Sequence, residues 1–178
     1  MKDLSISTIS ANLFAIPIVV FLIICLACPF ILIWDWHIFT LGFLSIYLAL
    51  PYFIIVFIFG AFMHEVLHAI GFLIFGKLKY SQVQIGIKWK FLTPYAHCKI
   101  PLKASVYRIA LLLPAILLGV IPSIIAYIFG IGWLLIYGIL FTILAGGDIL
   151  VFWIIRKVNN NELVKDHPEQ CGCFIVNN

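Results

Sequence analysis

Charge is what this sequence has least of. Only 10% of its 178 residues are Asp, Glu, Lys or Arg, against 65% hydrophobic. A soluble domain carries about a quarter charged and about half apolar residues, so this chain could not wet the surface of one. The same apolar wealth excludes disorder. Cysteine is scarce and odd in number, five in all, with Cys25 and Cys28 inside an apolar run. That argues against a disulfide-stapled secreted domain. The net charge of +4 is too small to indicate a nucleic-acid partner, and membrane topology alone accounts for it. What remains is a polytopic membrane protein, a single integral domain over residues 1–178 whose main solvent is membrane lipid.

The apolar runs set the architecture. From Leu13 to Trp34 there is no charged residue, and a helix over that run rises about 33 Å, enough to cross a bilayer. The run outlasts a signal-peptide core and no small-residue cleavage site follows, so it reads as a retained anchor. Ile38 to Gly76 would rise about 58 Å as one helix, with Pro51 and Gly60 as the places for a break. Thr40 to Leu50 reads as an interfacial lead-in to a helix running through His68. The third run carries Pro114 and Pro122, and Gly130-Ile131-Gly132 turns it into the fourth. The expectation is an all-α membrane protein of four transmembrane helices, at about 12–34, 45–75, 105–129 and 133–155.

Lysine and arginine give the orientation. Lys77, Lys79, Lys88, Lys90, Lys99, Lys103 and Arg108 lie between or just inside helices two and three. Arg156, Lys157 and Lys165 follow helix four, and Lys2 precedes helix one. Trp34–Thr40 and Phe129–Trp133 contain neither residue type. Both termini and the central loop are therefore expected in the cytoplasm, the protein sitting multi-pass in the cell membrane. Within that loop Gln82 to Lys90 alternates polar and apolar residues, and Tyr95 to Pro101 reads as a second extended piece after a turn at Thr93-Pro94. A basic β-hairpin over about residues 81–101 is expected at the membrane surface. In the cytoplasmic tail, about 157–178, Cys173 to Val176 reads as a strand added to that hairpin.

Four ionisable residues fall deep inside the proposed spans: His64, Glu65, His68 and Asp148. Such groups are costly in lipid and point to function. The first three form His64-Glu65-Val66-Leu67-His68, an H-E-x-x-H sequence. On a helix, positions i and i+4 share a face, so both imidazoles can reach one metal ion. The glutamate between them is placed to take a proton from an attacking water. A catalytic zinc takes three protein ligands, and Asp148 in Ala145-Gly146-Gly147-Asp148 is the candidate for the third. By helical rise it lies about 12 Å inside Arg156, while His68 lies about 13.5 Å inside Lys77. Gly146 and Gly147 would let another backbone approach or the helix loosen. His97, with Cys98, is an accessory candidate if the hairpin folds over the site. His167 with Cys171 and Cys173 has the look of a metal-site fragment, though a tail strand explains those residues as well.

With these motifs in place, the chain resembles the site-2 protease group of intramembrane zinc metalloproteases. That group carries an H-E-x-x-H near the cytoplasmic side and a distant aspartate in a later glycine-containing helix, usually as Asp-Gly; here Ile149 follows Asp148. The chain is more closely similar to a bacterial family of unknown function described as zincin peptidases. The similarity lies in His64–His68, in Pro94-Tyr95-Ala96-His97-Cys98-Lys99, in Gly146-Gly147-Asp148 and in Asp166-His167-Pro168-Glu169-Gln170-Cys171-Gly172, and it covers the chain from about Phe62 onward. It implies Zn2+ at His64, His68 and Asp148, with Glu65 as the catalytic base. The activity it implies is hydrolysis of a peptide bond near the cytoplasmic side of the bilayer, in a transmembrane or membrane-associated protein. The alternative is a non-catalytic zinc-binding membrane protein, a metal carrier or scaffold. A carrier needs no unliganded carboxylate beside the metal, and a transporter would line a full path with polar residues. The outer halves of these spans are almost wholly apolar.

Overall fold

A five-residue strand, β1 (Lys2–Ile6), precedes the first helix. Ser7 then caps α1 (Thr8–Leu48), its hydroxyl accepting the Ser10 N–H at 3.2 Å. The computed structural model describes residues 2–88, 93–167 and 170–176. At 41 residues α1 exceeds what a bilayer needs, and it breaks at Asp35, where φ is 73° and ψ 155°. L-residues rarely adopt that conformation. The Asp35 carboxylate accepts the His37 N–H at 3.3 Å just beyond the break. The lead-in expected at Thr40 to Leu50 is therefore helical and forms the second arm of α1.

The next helix, α2 (Leu50–Gly76), starts directly after Ala49 with Pro51 in its first turn. A proline there loses no hydrogen bond, because those N–H groups have no helical acceptor. The break in the long apolar run thus falls beside Pro51, and Gly60 lies within unbroken helix. The hairpin strands β2 (Val83–Lys88) and β3 (Thr93–Cys98) follow and pair antiparallel. Thr93 and Pro94 open β3 rather than forming the turn, and Trp89 and Lys90 lie outside the described residues. After a short β4 (Leu102–Lys103) comes a continuous rod, Ala104–Phe129. It consists of α3 (Ala104–Pro114), a π-helical stretch (Ala115–Val120) and α4 (Ile121–Phe129). Gly130, with φ of 64°, ends the rod in the expected tight turn. Beyond it α5 (Gly132–Leu144) and α6 (Gly146–Ile155) meet at a 49° bend. Among the described residues three helices are long and apolar enough to cross a membrane, and the bent pair makes a fourth if counted as one span.

The all-α expectation needs one correction. A four-stranded antiparallel sheet, in the order β1-β6-β5-β4, gathers both ends of the chain, β5 being Leu163–Asp166 and β6 Cys171–Val176. The tail strand does not extend the hairpin. It lies between β1 and β5, with Lys2 opposite Ile175. The unpaired edges of three short, distant segments are satisfied by one another, which a local reading could not see. The sheet also places β1, the start of the third rod and the segment after α6 at one end of the molecule.

Two cores hold the helices. One surrounds Phe30, Ala126 and Leu135. The other joins the sheet to the ends of α2, α3 and α6 nearest it through Phe72, Leu102, Tyr107, Ile155 and Val164. Helices α2 and α3 approach very closely at Gly71, where a Cβ would come within 2.8 Å of Ala110 Cα. That contact positions the site below.

Candidate metal centre

Both histidines of the H-E-x-x-H sequence are buried on the inner face of α2. One helical turn apart, their rings meet edge to face with centroids 4.9 Å apart and Nε2 atoms 3.2 Å apart. Asp148 arrives from another part of the chain. The break after Ala145 makes it a first-turn residue of α6, where the helix dipole favours a carboxylate. Its Oδ2 lies 3.0 Å from His64 Nε2 and 3.4 Å from His68 Nε2. Among the described residues, these three side chains are the one group of His, Cys, Asp or Glu ligand atoms close enough together to hold a metal ion.

The donor chemistry fits zinc. Zn–N and Zn–O distances of about 2.0–2.2 Å in a tetrahedron put neighbouring ligand atoms about 3.3 Å apart, and the triad spans 3.0–3.4 Å. His68 Nδ1 lies 2.9 Å from the Ala110 carbonyl. A carbonyl only accepts, so Nδ1 carries a proton, and when the ring is neutral its Nε2 lone pair faces the other two ligands. That lone pair and a carboxylate oxygen converge on His64 Nε2, which can offer one proton at most. A dication satisfies all three. His64 Nδ1 is buried without a hydrogen-bond partner among the described residues, so packing against His68 sets its ring.

Pro114 explains why the Ala110 carbonyl is available. In an α-helix that oxygen would accept the N–H of residue 114, and proline has none. The released carbonyl orients His68, as outer-shell acceptors do in metal sites. The sequence did carry this signal: a proline four residues beyond a small residue of the neighbouring helix.

Glu65 follows His64 on α2, and its Oε2 accepts the Ala96 N–H of β3 at 2.8 Å. The hairpin thus does fold against α2. His97, the accessory candidate on the same strand, is not one of the metal-site group. Its Nδ1 lies 2.8 Å from Asp166 Oδ2, and Tyr107 donates to Asp166 Oδ1 at 2.8 Å. Asp166 therefore links the hairpin, the four-stranded sheet and α3. Cys98 and Cys173 are buried; burial raises the Cys98 pKa, and burial reinforced by Asp166 pushes the Cys173 pKa up to about 12. Those thiols stay neutral and serve packing, and Cys171 and Cys173 belong to the strand β6.

The profile of a family described as "Putative zincin peptidase" matches residues 57–163. The chain belongs to that family. The matched region takes in the whole triad, Glu65 and the hairpin. No curated protein and no solved structure matches the chain. Membership supports a zinc metallopeptidase, and the zincin designation agrees with the donor set found above.

Proposed function

We propose that this zincin family member is a zinc-dependent peptidase of the membrane, cleaving a transmembrane or membrane-associated protein near the cytoplasmic side of the bilayer. The observation that carries the reading is the convergence of His64, His68 and Asp148 at tetrahedral ligand spacing, with an unliganded carboxylate, Glu65, next in the chain. His64, His68 and Asp148 would hold the metal. When bound, zinc supplies a Lewis acid for the substrate carbonyl and lowers the pKa of water. Glu65 accepts the proton of the attacking water and delivers it to the leaving nitrogen. The Ala96 N–H holds the carboxylate in one orientation for both transfers. A substrate helix hides its peptide bonds in its own hydrogen bonds, so the segment must unwind before it is cut.

Orientation follows the basic residues. The sheet gathers both ends of the chain beside the lysine-bearing loop, while Trp34 Nε1 bonds the Tyr127 carbonyl at 2.8 Å near the loops without Lys or Arg. We place the former end in the cytoplasm and the latter outside. A site-2-protease-like intramembrane mechanism is the form of the activity this arrangement supports best.

Glu65→Gln tests the reading. It keeps the helix and the ligands but cannot take up a proton, so cleavage should fall about 10²–10⁴-fold with zinc content unchanged. Fragment patterns of membrane proteins in cells making either form, with zinc measured in both, provide the readout. Equal cleavage at equal zinc would reject the peptidase in favour of a non-catalytic zinc-binding protein.

A further inference from the structure

We propose that the groove between α1, α3 and α6 is a binding site for one anionic phospholipid. Its apolar part, about 690 Å³, is lined by Phe21 and Leu22 of α1, by Ile116 and Val120 of the π-helical stretch, and by Ile149 and Trp153 of α6. Beside it lies a second cavity of about 400 Å³ lined by Ser105, Arg108, Arg156 and Asn160. Leu112 and Phe152 line both, so the two cavities adjoin at these side chains. The two differ as the ends of a lipid do. Arg108 Nη1 donates to the carbonyls of Ile155, Arg156 and Val158, each at 3.1 Å, and Nη2 to Asn160. Arg156 donates to the Trp153 carbonyl at 2.6 Å and stacks 3.8 Å over the Trp153 ring. All these partners are neutral, and among the described residues neither guanidinium has a carboxylate partner. Each guanidinium has five donors in a fork that suits phosphate.

Length and the charge at one end favour a lipid as the occupant. From Arg108 to Val120 the rod rises about 18 Å, close to the roughly 15 Å depth of one leaflet. An acyl chain runs the length of the apolar cavity with the headgroup phosphate between the arginines. The proposal goes beyond the peptidase reading and does not require it. Ile149, which directly follows Asp148, would touch the chain.

The test uses the full-length protein in detergent, with phosphatidylglycerol and phosphatidylcholine competing for it, bound lipid counted by native mass spectrometry and zinc measured in parallel. Phosphatidylglycerol should be retained preferentially, and Arg156→Gln should lower its retention about fivefold, the worth of one basic residue near an anionic surface. Ile116→Trp should displace the lipid by filling the groove, while zinc content stays unchanged in both variants. Equal retention of the two lipids, or undiminished phosphatidylglycerol in either variant, would overturn the proposal. So would displacement by inorganic phosphate, which would leave an anion site alone, or a photocrosslinker at Ile116 that captures protein instead of lipid.

Discussion

In the most apolar stretch of α1 only 6% of residues are buried within the protein; in α2 the share is 22% and in the third rod 39%. By hydropathy α1 is the strongest of the three, yet it gives no residue to the triad. Its Leu32, 86% exposed, faces outward as a lipid-covered residue would. In α2 the apolar run is interrupted by His64, Glu65 and His68, and there the helix is turned inward and capped by a strand. Apolarity marks what can sit in a bilayer, whereas polar residues that break it mark what the protein does there.

Changes in the triad and in α1 should separate most sharply in zinc content. His64→Ala or Asp148→Ala should reduce zinc from about one per chain to near none, while Leu32→Ala leaves it intact; elemental analysis of purified protein distinguishes them. Retained zinc in both triad variants would remove the contrast.

Prolines sharpen it next. Pro114→Ala returns an N–H that competes with His68 for the Ala110 carbonyl, and should weaken zinc binding about tenfold, the lower end for a lost outer-shell contact. Pro17→Ala in α1 should not change it. Chelator competition measures both.

Packing gives a smaller effect. A Cβ at Gly138 would stand 2.7 Å from the Gly119 carbonyl and meet Ser123 Oγ, so Gly138→Ala should cost about 1–3 kcal/mol in a detergent melt. Nothing lies within 4 Å of a Cβ at Gly147, and Gly147→Ala should be neutral or gain up to about 1 kcal/mol from helix propensity. The smallest effect belongs to α1, where Leu32→Ala should shift stability by no more than about 0.5 kcal/mol.

Much of this was legible before any coordinates. Run length gave the helices, alternation gave the hairpin, and equal depth from Arg156 and Lys77 paired Asp148 with His68. Each of those signals is local or rests on the fixed rise of a helix. The four-stranded sheet was not legible, because β1, β4 and β5 are two to five residues long and too short to show a period. The partners of β1 and β4 lie far away in sequence. The Ala96 N–H on Glu65 was hidden for another reason: every residue but proline has that donor. The helical break at Asp35 falls where the charge-free run from Leu13 ended at Trp34, although neither proline nor glycine marks it.

The sheet that joins Lys2 to Ile175 has a consequence for the order of assembly. Its middle strands, β5 and β6, follow α1 to α6 in the chain, so β1 must wait, unpaired, while those helices are laid down. Pairing of such remote segments is slow because a long loop must close first. The sheet therefore acts as a final clasp, set only after the helices have found one another. Asp166 sits on it and reaches both His97 and Tyr107. Closure of the clasp thus fastens the hairpin that bonds Glu65, and a half-made chain would carry α2 without that contact.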